Sequence, residues 1–519
     1  MRLGIDLGTT RTVVARVDGG RHPIVSFDTD PGRVEWIPGC AIEVEGARLH
    51  GWDAVHRAHE ASAILRSVKR AISGLSHDAI VDALPSRPTA AALLDEHVAH
   101  VIARVRAALD HPAPAPISAM IAVPANATSR QRWLTLEAFR HAGVEVLGLV
   151  NEPTAAGIEY AHRHLGLDNK RSPKRYLVVY DLGGGTFDTS AISLQRGEGG
   201  ARLFELLATE GIARLGGDDL DEAILALALD RAGIDATRLD PTTRARAADA
   251  ARAAKEALGS HSKNAMIDLA MAIPDAAPIV LPAADVLRAC EPLVDRTLAL
   301  IDRLLAMLPA HGIDPEDARQ LGAVYVVGGG AAFVGVLKAL RHKLGRKVEL
   351  APVPYAATAI GLAVAADLDA GIFVKEGITR HFGVWREAQG GREKIFDPIF
   401  DKDEIAPRLD EDGASAPRIV ERRYRPRHTV GHLRFLECAR RDDDGGPAGD
   451  LTPWREIQFA YDPALRDHDD LGSFARSAPG LATQEIREQY RYERDGSITV
   501  RIDNLTSGYG RTFELGRLE

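Results

Sequence analysis

Two short segments combine an aspartate with a glycine-rich turn in a way that suits polyphosphate. Asp6 stands just before the turn GTT at 8–10, and Asp181 stands in the same relation to the turn GGGT at 183–186. Glycine lets backbone N–H groups approach phosphate oxygens, and successive N–H groups form an anion-binding concavity. Two carboxylates at one phosphate site would repel the phosphate unless a cation lay between them. Mg²⁺ with retained waters is the natural occupant.

The alternative interpretation is that these glycines form ordinary hairpin turns and that the aspartates cap them. One such hairpin alone would favour this alternative. The two segments share one plan, however, and they lie about 175 residues apart. A third apolar strand runs into a glycine turn at 325–330 (YVVGGG). The repetition favours phosphate binding on a duplicated core.

Seven motifs follow one another along the first part of the chain: GIDLGTT (4–10), ILRSVKRAISG (64–74), IAVPANATSRQR (121–132), VNEPTAAGIEYA (150–161), YDLGGGTFD (180–188), ATEGIARLGGDDLD (208–221) and YVVGGG (325–330). In their order and spacing these motifs resemble the ATPase domain of the 70-kDa heat-shock (DnaK-type) chaperones. The resemblance covers about residues 1–366, and it implies an α/β fold: a two-lobed, actin-like (ribonuclease H-like) ATPase domain at 1–370.

The resemblance also implies a role for each residue that falls on a motif. Lys69 would orient or stabilise attack on the γ-phosphate, although it could instead be an ordinary solvated helix lysine. Asp6 and Asp181 would hold Mg²⁺, largely through water, while Glu152 and Asp188 would position the attacking water. The catalytic set implied is Lys69, Glu152, Asp181, Thr186 and Asp188. The residues expected to bind ATP or ADP are Asp6, Gly8, Thr9, Thr10, Gly183, Gly184, Gly185, Thr186, Gly216, Gly217, Lys255, Gly328 and Gly329.

The nucleoside side of the expected site departs from the family. Arg252 and Glu256 fall on positions where the family has ribose- and adenine-binding residues. Ala332 falls where the family typically places an arginine that stacks on the base, and Tyr355 falls where an aspartate is usual. Because a cation–π stack is worth about 0.5–2 kcal/mol, we expect weaker or less selective base binding. Tyr355 could restore the stacking.

The elements that must position these residues follow from periodicity and turn signals. Two hairpins are expected at 2–18 and 175–194, and residues 53–109 are expected to be mostly helical. The remaining elements expected in this region are a strand at 118–123, a strand–helix unit at 144–161, a strand–turn–helix unit at 323–345, and helices near 129–142, 218–232, 241–258, 285–310 and 356–366.

Composition changes after about residue 370, where short strand candidates and Pro/Gly/Asp loops replace Ala-rich periodicity. We expect a linker at 371–380 and a small all-β sandwich at 381–519. The clearest hairpin spans 485–504, with Asp495-Gly496 as its turn. This region resembles the family's substrate-binding sandwich more faintly. The family's Leu-rich linker is not recognisable, and its helical lid is expected to be missing.

The bulk composition fits a globular protein, with 519 residues of which 45% are hydrophobic and 26% charged. A net charge of −9 argues against binding to nucleic acid or to a membrane surface. Three widely separated cysteines, Cys40, Cys290 and Cys438, indicate a reducing compartment. The chain opens without an apolar run of signal-peptide length, so we expect a cytoplasmic protein.

Together these observations predict an ATP-dependent, chaperone-like protein that couples Mg-ATP hydrolysis to binding of an unfolded polypeptide or of a dedicated partner. The resemblance implies a J-domain co-chaperone and a nucleotide-exchange factor as further partners. One alternative is a regulatory or scaffold ATPase switch without general chaperone activity. The other is a small-molecule kinase of the actin/sugar-kinase fold. ATP turnover without an added acceptor would separate the kinase from the others.

Overall fold

The computed structural model describes residues 1–30, 32–61, 63–125, 127–164, 175–196, 202–212, 214–274, 276–370, 372–375, 380–388, 393–402, 416–442, 444–468, 470–493 and 497–515. The chain divides into two compact units. The first unit comprises Met1–Ala125 and Glu137–Val374, and the second comprises Asn126–Leu136 and Lys375–Glu519.

The first part of the chain contains both strands and helices. The strands there are β1 Arg2–Leu7, β2 Arg11–Arg16, β3 Phe27–Thr29, β4 Gly32–Val34, β5 Ile37–Pro38, β6 Ala41–Val44, β7 Ala47–His50, β8 Ile64–Leu65, β9 Ile117–Val123, β10 Val144–Asn151, β11 Tyr176–Leu182, β12 Phe187–Arg196, β13 Arg202–Ile212, β14 Asn264–Ile267, β15 Ile279–Pro282, β16 Leu321–Val327, β17 Val348–Leu350 and β18 Ile372–Lys375. The helices are α1 Gly51–His56, α2 Val68–Ile72, α3 Ala90–Ala108, α4 Ser129–His141, α5 Glu152–Arg163, α6 Gly217–Ala232, α7 Pro241–Ala257, α8 Ala283–Met307, α9 Val334–Leu344 and α10 Ala357–Ala366.

Two sheets of the same plan form the framework of the first unit. Their strand orders are β10-β9-β1-β2-β5 and β17-β16-β11-β12-β13-β18. In each sheet an antiparallel hairpin, β1–β2 or β11–β12, lies beside two strands that run parallel to its first strand. The two predicted hairpins are confirmed, and the shared topology explains why the Asp–Gly turns recur along the sequence.

Small residues let helix α10 lie against its neighbours at backbone distance. A Cβ added to Gly361 of α10 would lie 1.8 Å from the carbonyl oxygen of Ala155 in α5, and one added to Gly4 of β1 would lie 2.4 Å from the carbonyl oxygen of Ala359. A helix that is apolar on every side is normally buried, and most residues of α10 are. The Ala-rich segment predicted at 356–366 therefore forms a helix of the core.

The expectation of a mostly helical segment at 53–109 is wrong for its middle part. Helix α1 ends at His56, α2 covers only five residues, and α3 begins at Ala90. Pro85 and Pro88 lie in the interval, and proline cannot continue a helix because it lacks an N–H and its ring clashes with the preceding turn. The side chain of Thr89 then caps α3 by accepting a hydrogen bond from the N–H of Ala92, at 3.2 Å.

The second unit contains two four-stranded antiparallel sheets, with strand orders β20-β19-β22-β23 and β21-β24-β25-β26. Side chains from both sheets, among them Phe382, Phe435, Tyr490 and Val500, share one buried core, which makes the unit a β sandwich. The predicted turn 495–496 lies outside the described residues, but the strands on either side of it pair as expected. These strands are β19 His381–Ala388, β20 Glu393–Phe400, β21 Arg418–Tyr424, β22 Val430–Arg441, β23 Pro447–Ala460, β24 Ile486–Tyr492, β25 Ile498–Asn504 and β26 Tyr509–Glu514.

Candidate active site

A cleft in the first unit gathers most of the residues predicted from sequence. It encloses about 920 Å³, part of which is open to solvent. The predicted residues that line it are Asp6, Gly8, Thr9, Thr10, Lys69, Glu152, Asp181, Gly183, Gly184, Thr186, Gly217, Lys255, Gly328 and Gly329.

Three further predicted residues lie directly behind this lining. The N–H of Gly185 donates to Thr9 Oγ1 at 3.2 Å. A Cβ at Gly216 would lie 2.5 Å from the carbonyl oxygen of Gly184, so Gly216 packs against the back of the turn. Asp188 is the direct antiparallel partner of Asp181. Gly185 and Gly216 support the turns from behind, whereas the partly exposed carboxylate of Asp188 lies close enough to Glu152 and Lys69 to interact with both.

The two glycine turns close in the same way. The N–H of Gly8 donates to the carbonyl of Arg11 at 3.1 Å, and the N–H of Gly183 donates to the carbonyl of Thr186 at 3.0 Å. Gly328 completes the arrangement with φ at +88°, a backbone conformation that glycine adopts without strain. A Cβ there would lie 2.5 Å from Asp181 Oδ1. The three turns therefore meet around the carboxylates.

Lys69 reaches the cleft from the short helix α2. The hydroxyl of Ser67 caps this helix by accepting from the N–H of Arg70 at 3.1 Å. Lys69 Nζ lies 2.6 Å from Oε1 of Glu152, the first residue of α5. Burial lowers the pKa of Lys69, but the carboxylates of Glu152 and Asp6 outweigh that effect and raise it overall. Lys69 is therefore a fixed cation in the cleft.

The carboxylates around Lys69 carry more negative charge than it can balance. Burial, together with the charge of Glu152, raises the pKa of Asp6 to about 8, that of Asp181 to about 8 and that of Asp188 to about 7. These raised pKa values mean that burial and mutual repulsion disfavour the ionised carboxylates, so a further positive charge in the cleft would stabilise them. Carboxylate oxygens are the ligands that Mg²⁺ prefers, so the residues fit a divalent cation at Asp6 and Asp181.

The side of the cleft formed by α6 and α7 is tied together by ion pairs. Lys255 Nζ lies 2.6 Å from Asp221 Oδ1 and donates to the carbonyl of Gly217 at 2.9 Å. Arg252 contacts the same Asp221 at 3.0 Å and Asp218 at 2.7 Å. The ammonium of Lys255 is thus committed to these partners, while its residue lines the cleft as predicted.

The structure adds three charged residues that sequence reasoning did not assign to the site: Arg11, Asp218 and Asp221. Asp218 and Asp221 lie within the motif ATEGIARLGGDDLD, so the motif already contained them. Arg11 directly follows the first glycine turn, and its position beside that turn was the available signal. Tyr355 also lines the cleft, and its hydroxyl donates to Glu35 Oε2 at 2.8 Å.

The duplicated sheets and the cleft lined by glycine turns and carboxylates define an actin-like ATPase class of fold. The chain matches the family model described as "Hsp70 protein" over residues 2–379. We conclude that the chain belongs to the Hsp70 family.

Curated relatives agree with this family. A "Chaperone protein HscA homolog" from Azotobacter vinelandii is 33% identical over 391 residues, which cover 72% of this chain and 58% of that protein. One from Burkholderia thailandensis is 34% identical over 402 residues, covering 72% of this chain and 59% of that protein. A further Azotobacter vinelandii relative is 32% identical over 544 residues, covering 99% and 77%. The chain thus spans a little under six tenths of the length of the first two relatives.

Among the described residues, no helix combines the length and the apolar character needed to cross a bilayer.

Proposed function

We propose that the protein binds and hydrolyses Mg-ATP in the cleft of its first unit and uses the cycle to control binding of an unfolded polypeptide or a dedicated protein partner at its β sandwich. The observation that carries the proposal is the convergence of three glycine turns on buried carboxylates beside the Lys69–Glu152 ion pair. Membership of the Hsp70 family supports it.

The residues of the cleft suit phosphoryl transfer, which depends on positioning and charge neutralisation more than on covalent help. N–H groups of the turns at 8–10 and 183–186 would hold the phosphates. Lys69, oriented by Glu152, would present its ammonium to the γ-phosphate, while Glu152 and Asp188 would accept hydrogen bonds from the attacking water. When bound at Asp6 and Asp181, Mg²⁺ would offset phosphate charge.

The segment that joins the two units would couple the nucleotide cycle to partner binding. We propose that the linker covers 371–380, between an ATPase domain at 1–370 and a sandwich domain at 381–519. Part of this segment, 371 and 376–379, lies outside the described residues. Strand β18 within it belongs to the same sheet as β13. The linker strand can be either paired with the sheet or unpaired. A ligand that binds more tightly to one of these two states would shift the equilibrium between them.

Steady-state phosphate release from the purified full chain, without an added acceptor, tests the catalytic half. Lys69→Ala should lower turnover about tenfold or more, because it removes the fixed cation beside the γ-phosphate. Lys338→Ala is the matched control, since Lys338 is exposed on α9 and does not line the cleft. Equal turnover in the Lys69 variant and the control would remove Lys69 from the catalytic set.

The same assay separates the alternative functions. Turnover that requires a small-molecule acceptor would indicate a kinase, although family membership favours the ATPase. Stimulation by a reduced, unfolded protein, alone or with a J-domain protein, would support a chaperone. Unstimulated turnover would favour a switch that serves one partner. We also propose that the protein acts in the cytoplasm.

A further inference from the structure

The guanidinium of Arg11 occupies a place in the cleft that the phosphate turns do not explain. Arg11 begins β2, directly after the first turn, and its side chain is only 25% exposed. Its Cζ lies 4.7 Å from the centre of the Trp36 ring. Its Nη2 lies 3.1 Å from Glu256 Oε1. The side chain is therefore fixed both by an aromatic face and by an ion pair.

The partners of Arg11 place it at the end of the cleft that suits a nucleoside. Glu256 and Tyr355 both line the cleft, and the Tyr355 hydroxyl donates to a second carboxylate, that of Glu35. Carboxylates at this end would repel a triphosphate, whereas ribose hydroxyls and the adenine amino group can donate hydrogen bonds to them. The phosphates belong instead to the turns at 8–10 and 183–186 and to Lys69.

A planar guanidinium has two faces, and it stacks well on aromatic rings. The Arg11 guanidinium lies over the ring of Trp36, and the residue also lines the open cleft. The nearest atom to a Cβ placed on Gly329 is Arg11 Nη1, at 3.8 Å, so the guanidinium lies over the third glycine turn. Ala332, where a stacking arginine was expected from the resemblance, is a small exposed residue.

We propose that Arg11 is the base-contacting, specificity-determining residue of the nucleotide site. Its guanidinium receives the purine ring on the face opposite Trp36, and Glu256 holds it in that orientation. This inference rests on the proposed nucleotide binding and adds to it the residue that distinguishes a nucleotide from bare polyphosphate. It also assigns the base contact to β2 instead of to the turn at Ala332.

Isothermal titration with two ligands, Mg-ATP and Mg-tripolyphosphate, tests the proposal on the full chain. Arg11→Asn should weaken ATP binding about tenfold, the worth of one cation–π stack, and leave tripolyphosphate binding unchanged. Arg16→Asn is the matched control, because Arg16 is also on β2 and pairs with Asp18 at 2.8 Å but does not line the cleft. Thermal unfolding of each variant checks that the fold is retained.

Two further variants sharpen the test. Arg11→Lys keeps the charge but not the planar face that stacks on a purine, so it should recover only part of the ATP affinity lost in Arg11→Asn. Trp36→Leu removes the aromatic support and should weaken ATP binding about threefold, again without an effect on tripolyphosphate. An equal loss for both ligands would show that Arg11 contacts phosphate, and full recovery by lysine would show that only its charge matters. Either result overturns the proposal. A wild-type chain that binds tripolyphosphate as tightly as ATP also overturns it, whereas one that binds neither ligand refutes nucleotide binding itself.

Discussion

The turns at 8–10 and 183–186 contact each other at Gly184, and this contact predicts the effect of a substitution there. A Cβ added to Gly184 would lie 1.7 Å from Thr10 Oγ1 and 2.8 Å from Thr10 Cβ. Non-bonded carbon contacts are optimal at about 3.5–4.0 Å, so Gly184→Ala must displace one turn or rotate Thr10. Overpacking of this kind costs about 1–3 kcal/mol. Since the displaced turns would bind the phosphates, we expect Mg-ATP affinity to fall by a factor of about 5 to 150.

The neighbouring glycine provides the control for this substitution. A Cβ at Gly183 has its nearest neighbour, the carbonyl oxygen of Thr186, at 3.5 Å, which is ordinary contact. Gly183→Ala should therefore bind Mg-ATP within about threefold of the wild type, an effect below 1 kcal/mol. Thr10→Ala combined with Gly184→Ala removes the 1.7 Å contact but leaves the 2.8 Å contact, so recovery should be partial.

Calorimetric titration of Mg-ATP, with thermal unfolding of each variant in parallel, measures both effects. Wild-type affinity in Gly184→Ala would refute the reasoning, because it would mean that the turns separate without cost. Equal damage from Gly183→Ala would refute it in another way, since the harm would then come from any side chain in the turn. The double variant separates a collision with Thr10 from a general stiffening of the backbone.

Two predictions concern stability. The carboxylate of Glu488 is fully buried in the sandwich and accepts a hydrogen bond from Arg386 Nη2 at 2.7 Å, so Glu488→Gln should lower the free energy of unfolding by about 3 kcal/mol. The control Glu421→Gln breaks an exposed ion pair with Arg423 on β21 and should lower it by less than about 1 kcal/mol. Equal effects of the two substitutions in chemical denaturation would contradict this prediction. Burial lowers the pKa of His97 to about 3 and that of His50 to about 4, so the unfolded chain takes up protons first as pH falls below about 6.5. Stability should then decrease by up to about 1.4 kcal/mol per pH unit for each histidine, and His97→Leu should flatten the slope measured by denaturation between pH 7.5 and 5; an unchanged slope would exclude His97.

The phosphate side of the site could be predicted from sequence because each of its parts is local. A strand, an aspartate and a glycine turn are adjacent in the chain, so the hairpins carrying Asp6 and Asp181 were visible without any tertiary contact. Lys69 and Glu152 are 83 residues apart, and only the family resemblance implies that both belong to the site; their ion pair is seen only in the structure. The structure joins them because α2 and the start of α5 both reach the same cleft.

The nucleoside side could not be predicted in the same way, because its contacts join residues far apart in the chain. Arg11 and Glu256 are separated by 245 positions, and nothing in the pattern around either residue signals the other. The expectation that the base lacks a stacking arginine rests on Ala332 alone, because it assumes that only the turn at 328–332 could place an arginine beside the base. In the folded cleft the side chain of Arg11, on β2, also lines the site.

Strands β13 and β18, at one end of the second sheet, could not be predicted for a different reason. In the sequence the segment of β13 stands out only as part of a motif, and the segment that holds β18 is not recognisable as the family's linker. Pairing at a sheet edge uses backbone N–H and C=O groups, which every residue but proline supplies, so it leaves little trace in residue types. A linker whose docking depends on backbone pairing can therefore diverge in sequence and keep its place beside β13. This makes the pairing of β18, rather than its side-chain pattern, the feature on which coupling between nucleotide and partner would depend.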